Sequence, residues 1–142
     1  GRLLALAQAV VVCGGLGGAM EAVARGAREA GGHTIGILPG HDRASANSYI
    51  EWSLTTGMGE ARNLAVVSSG DAVIAVGGSY GTLSEIGLAA KIGRPVVLLH
   101  SWELGREGET ASLKRVSSPA EAVESVHRLL SLPYPLRLGR GP

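Results

Sequence analysis

The sequence predicts an α/β protein: a single domain built on a doubly wound, mostly parallel sheet. Apolar runs rich in valine and isoleucine recur along the chain, they alternate with segments of helical periodicity, and several end in glycine pairs. With 142 residues, 45% hydrophobic and 18% charged, the chain can bury a real core and does not read as disordered.

Residues 9–13 form a continuous apolar run ending in Gly14 and Gly15, as a buried parallel strand feeding a glycine turn would. Met20, Val23, Ala24 and Ala27 then recur at helical spacing, with Glu21, Arg25, Arg28 and Glu29 on the opposite face and Gly31-Gly32 as the stop. Residues 33–38 read as the next strand, closed by Pro39-Gly40, and residues 41–48 as a polar loop. Ile50, Trp52 and Leu54 alternate with Glu51 and Ser53, the pattern of a strand near a sheet edge with one wet face. A helix over 59–69 leads to an apolar strand over 71–76 and to the second glycine turn, Gly77-Gly78.

The helix over 83–92 is marked at its end by Lys91, Gly93 and Pro95, and residues 96–100 form another buried strand. Residues 103–110 read as an exposed loop. Ser118 as N-cap, Pro119 at the first helical position and Glu121 two residues later open a last helix through about Leu130. The domain is expected to span residues 1–132, with residues 133–142 a loosely packed tail.

Composition narrows the function. Thirteen basic and 12 acidic residues leave a net charge of +1, too little to favour a polymeric nucleic acid or an anionic membrane. No apolar run reaches the roughly 20 residues that span a bilayer, and the single cysteine, Cys13, admits no intrachain disulfide. A soluble cytoplasmic protein is expected. His33, His41, His100 and His127 show no metal-ligand spacing, so neither a metal nor a cofactor is called for.

The 22 glycines cluster at the ends of apolar runs, where backbone can approach a ligand. In GGLGGAME, residues 14–21, a strand hands over to a helix N-terminus, whose unpaired N–H groups and dipole favour an anion. Gly14, Gly15, Gly17 and Gly18 are therefore candidate phosphate binders; close helix-to-strand packing is the alternative. The dinucleotide fingerprint fails at Met20, no acidic residue ends the next strand, and no lysine makes a P-loop. GGSYGTLSE, residues 77–85, repeats the arrangement with Gly78, Gly81 and Thr82. Thr82 and Glu85 also spell a capping box, Thr82 as N-cap and Glu85 at the third helical position. Glu85 is either that cap or an acid–base carboxylate beside the phosphate. Arg62 reads as a solvated helix arginine, His41, Asp42 and Arg43 as loop polars, and Cys13 as a small core residue.

The order of VVCGGLGGAMEAVARGA, ILPG, GEARN and AVGGSYGTLSE resembles the LOG (LONELY GUY) phosphoribohydrolases and their lysine decarboxylase-like relatives, over roughly residues 1–100. The resemblance implies a Rossmann-like sheet, usually in a homodimer, that binds a nucleoside 5′-monophosphate and hydrolyses its N-glycosidic bond. It assigns the catalytic pair to Arg62 and Glu85, and the phosphate turn to Gly81 and Thr82. Gly77, Ser79 and Asn63 depart from the family's proline, glycine and lysine, and resemble a bacterial branch that includes a molybdenum cofactor carrier. Relatives also begin with a strand, central in a doubly wound order, that residues 1–6 do not supply. Two functions are expected from this: a nucleoside monophosphate phosphoribohydrolase, or alternatively a non-catalytic carrier of a nucleotide or of the molybdenum cofactor. A lysine decarboxylase is not expected, with only Lys91 and Lys114 in the chain. The apolar content of the helices around residues 58–67 and 83–92 adds to the expectation of a homodimer.

Overall fold

A computed structural model describes residues 1–106, 109–110 and 113–131. Helices α1 (Arg2–Leu6), α2 (Ala19–Glu29), α3 (Asn63–Ser69), α4 (Tyr80–Lys91) and α5 (Pro119–Leu129) alternate with strands β1 (Val11–Cys13), β2 (Thr34–Leu38), β3 (Trp52–Thr55), β4 (Val73–Val76), β5 (Val96–Leu99) and β8 (Lys114–Val116). Two short strands, β6 (Gly105–Arg106) and β7 (Glu109–Thr110), lie between β5 and β8. Short 3-10 turns cover Arg43–Ser45 and Gly59–Arg62.

The chain is an α/β protein with parallel strands, as the pattern predicts, and its sheet is divided into two three-stranded parts. One has the order β1-β2-β3, the other β4-β5-β8, and every pairing in both is parallel. No ladder joins β1 to β4. Side-chain packing holds the halves together instead: α1 touches both α2 and α5, while α3 touches both β1 and α4.

Each half has its own apolar interior. Leu38 and Ala27 are fully buried in the first. Thr34 is buried beside them because its hydroxyl donates to the Tyr49 carbonyl at 2.7 Å and accepts from the Glu51 N–H at 2.9 Å. Both hydrogen-bonding needs of the hydroxyl are thus met without water. In the second half Val67, Ala75, Ile86, Ala89, Val96 and Leu98 form one cluster joining α3 and α4 to the strands beneath.

Strands β3, β6, β7 and β8 differ from the sequence reading. Within the expected loop, residues 105–106 and 109–110 pair as antiparallel strands. Lys114–Val116 is an edge strand that its charged residues conceal, since an edge strand can carry them at little cost. At β3, which is an edge strand as expected, Trp52 and Leu54 are the exposed side chains while Ser53 and Thr55 are half-buried. The last helix begins as expected: Ser118 accepts from the Glu121 N–H, and Pro119 occupies the first turn. The tail, residues 133–142, lies outside the described residues.

Candidate functional site

Both glycine turns leave the carboxyl ends of parallel strands, β1 and β4, and open the helices α2 and α4. At the first, Gly15 has a φ of 75° and Gly18, the N-cap of α2, a φ of 66°, backbone that favours glycine. A methyl group at Gly14 would lie 2.1 Å from Arg62 Nη1, and one at Gly15 would lie 2.8 Å from Leu38 Cδ2. Close packing therefore accounts for Gly14 and Gly15. It does not account for Gly17 and Gly18, where added carbons would meet nothing within 4 Å. No side chain caps α2, which leaves the N–H groups of its first turn unpaired within the helix. Asn47, which the sequence reading passed over as a loop polar, fixes this turn: its amide donates to the Gly15 carbonyl at 3.2 Å and to the Leu16 carbonyl at 2.7 Å.

The second turn is organised differently. The N-cap of α4 is Ser79, not Thr82: the Ser79 hydroxyl accepts the Thr82 N–H at 3.2 Å and bonds the Thr82 hydroxyl at 3.0 Å. Ser79 is extended, the backbone an N-cap needs, so it captures the helix start three residues early and draws Tyr80 and Gly81 into the first turn. Glu85 is consequently mid-helix, and the capping-box account of it falls. The Thr82 N–H is already used, which leaves those of Tyr80 and Gly81 as the helix-end donors.

Arg62 is buried, with 6% of its surface exposed, and is not the solvated arginine its helical context suggests. It sits where the Gly59–Arg62 turn enters α3, packs its guanidinium on Gly14, and leaves a buried Nε without a hydrogen-bond partner. Burial pushes the half-buried Glu85 carboxyl above its usual value, and the Arg62 charge partly offsets this. The Cys13 thiol is likewise pushed up by burial and feels both Arg62 and Glu85. These three groups thus share one electrostatic neighbourhood, although Arg62 and Glu85 form no direct ion pair. Asn63, where the resemblance has lysine, donates to Ser84 Oγ at 2.8 Å and ties α3 to α4. Asp42 caps the short turn after it by accepting the Ala44 N–H, a local role. Among the described residues no group of three His, Cys, Asp or Glu is arranged to hold a metal.

Comparison with known proteins gives this geometry a family. Residues 1–128 match the model of the SLOG cluster4 family. The chain belongs to that family. This is the coarser part of the resemblance: the match places it among SLOG proteins and does not single out the LOG phosphoribohydrolases. An uncharacterized protein of Archaeoglobus fulgidus is 46% identical over 99 residues, which are 70% of this chain and 65% of that protein, so the match spans slightly less than two thirds of the relative. The molybdenum cofactor binding protein of Rippkaea orientalis superposes with a TM-score of 0.82 at 36% identity, covering 91% of this chain and 82% of that one. The molybdenum cofactor carrier protein of Chlamydomonas reinhardtii gives 0.79 at 31% identity, covering 92% and 83%.

For this SLOG cluster4 protein the Rossmann-like α/β fold is thereby shown. Among the described residues no helix is long and apolar enough to cross a membrane. The candidate site combines open helix-end N–H groups, a buried cation with a spare donor, and a carboxyl whose pKa burial raises. Such a set suits an anionic ligand and offers both charge and directed hydrogen bonds.

Proposed function

We propose that this protein binds and carries a phosphorylated small molecule of the molybdenum-cofactor class, a pterin bearing a phosphate, and does not cleave it. The observation that carries this reading is the buried guanidinium of Arg62, which packs on Gly14 of the first glycine turn and keeps an unpartnered Nε. The likeness to proteins described as binding or carrying the molybdenum cofactor supports the choice of cargo. In this proposal the backbone of Gly17, Gly18, Gly78 and Gly81 approaches the phosphate, with Gly14 and Gly15 shaping the turn. Thr82 serves as a helix brace, and Arg62 supplies positive charge. One observation favours the expected phosphoribohydrolase as a second reading: Glu85, whose pKa burial raises, shares the neighbourhood of Arg62, as an acid–base pair would.

Calorimetric titration with a pterin monophosphate and with AMP, followed by assay of the mixtures for free base and ribose 5-phosphate, separates the two. Saturable binding with no base released is expected, and Arg62→Ala should weaken it roughly 10- to 100-fold, the loss of a charge-assisted hydrogen bond. Catalytic release of base from AMP would establish the hydrolase. Absence of binding to either compound would refute both readings. We also propose a homodimer, supported by the exposed apolar side chains Trp52, Leu54, Met58 and Leu64; a sedimentation profile of monomer alone at high concentration would refute it.

A further inference from the structure

Tyr80 is the most exposed large apolar side chain among the described residues, with 82% of its surface free, although it stands in the first turn of α4 beside the helix-end donors. It is not a loose surface tyrosine. Its ring meets the indole of Trp102 at a centroid distance of 5.8 Å and an interplanar angle of 33°. Trp102 follows β5, and its indole N–H donates to the Ser79 carbonyl at 3.1 Å. The same Ser79 caps α4 with its side chain, so one residue fixes both the helix start and the tryptophan that backs Tyr80.

The glycines beneath keep the approach clear. A carbon added at Gly77 would meet nothing within 4 Å, and at Gly78 only Trp102 Nε1 at 4.0 Å. The face of Tyr80 turned away from Trp102 is open, and the residue belongs to the same first turn of α4 that carries the N–H groups of Tyr80 and Gly81. A flat aromatic face adjoining an anion site fits a ligand in which a planar ring carries a phosphate. Stacking is tolerant of ring identity because every heterocycle has a π-face, while the phosphate sets the register.

Resting on the phosphate reading above, we propose that Tyr80, held by Trp102, is the ring-binding element of the site and selects phosphorylated ligands bearing a fused nitrogen heterocycle, pterin or purine, over phosphorylated sugars alone. In this proposal the ring stacks on the face of Tyr80 turned away from Trp102, because the 5.8 Å between the two side chains leaves no room for a ring between them.

The test compares inorganic phosphate, ribose 5-phosphate, AMP and a pterin monophosphate by calorimetry, with the wild type, Tyr80→Ala and Tyr80→Phe. Ring-bearing ligands should bind more tightly than ribose 5-phosphate. Tyr80→Ala should remove about 5- to 100-fold of their affinity, the range of one aromatic stacking contact, and leave ribose 5-phosphate unchanged. Tyr80→Phe should keep the advantage, and ring protons of bound AMP should shift upfield in the wild type but not in Tyr80→Ala. Equal affinities for AMP and ribose 5-phosphate in the wild type would overturn this proposal and leave the phosphate site standing. An equal loss for all four ligands in Tyr80→Ala would overturn it too, since that is the mark of a disturbed helix start. If none of the four binds the wild type, the phosphate reading itself fails and this one with it.

Discussion

The turn at residues 14–18 is held from three sides: by Arg62 at Gly14, by Leu38 and Gly36 at Gly15, and by Asn47 at the carbonyls of Gly15 and Leu16. The turn at residues 77–82 is held from within, by the Ser79 hydroxyl, with Trp102 resting on the Ser79 carbonyl. Both follow an apolar parallel strand and both open a helix, so by pattern they are alike. The difference teaches that a glycine-rich turn has two separable uses. In the first, Gly14 and Gly15 admit neighbouring atoms and Gly17 and Gly18 face open space; in the second, Gly77 and Gly78 are nearly all approach.

A matched set of substitutions would break that comparison if it is wrong. Gly15→Ala combines a left-handed backbone with a contact to Leu38 and should cost about 3 kcal/mol. Ser79→Ala removes only the cap and should cost about 1 kcal/mol. Gly17→Ala should be within about 0.5 kcal/mol of wild type in stability, since nothing crowds it. Urea midpoints rank the three, and a Gly17→Ala protein as unstable as Gly15→Ala would show that the first turn has no free half.

The smallest expected effect is electrostatic. Because burial raises the Glu85 pKa in the folded state, protonation favours the fold. That contribution is complete below the unfolded value and is lost as pH rises through the folded value. Glu85→Gln should therefore match the wild type near about pH 4 and be the more stable of the two near about pH 7. Urea melts of both proteins at the two pH values test the sign. A wild type that gains on the variant as pH rises would mean that Arg62 outweighs desolvation and that the two side chains act as an ion pair.

The strands over residues 9–13, 33–38, 71–76 and 96–100 were legible because unbroken apolar runs closed by glycine have few other physical uses. The glycine turns, and the helix begun by Ser118 and Pro119, were legible for the same kind of reason. What was not legible depends on partners distant in sequence. Arg62 is buried because Gly14, far back in the chain, lacks a side chain, and no local pattern around residue 62 carries that information. Asn47 looks like any loop asparagine until β2 and β3 bring it to the Gly15 carbonyl. At α4 the capping-box spelling of Thr82 and Glu85 pointed to Thr82 as the cap, and the structure puts the cap at Ser79. The backbone decides this, since Ser79 is extended while Thr82 is already helical.

No hydrogen-bond ladder crosses between β1 and β4, so packing between the helices and strands spans that seam. The groups proposed to meet the ligand come from both sides of it: Gly17 and Gly18 follow β1, Gly78 and Gly81 follow β4, and Arg62 reaches across from the entry of α3 to Gly14. A cargo seated on all of them acts as a rivet through a seam. The binding free energy of such a ligand would add to the cohesion of both halves and not merely to the order of one loop.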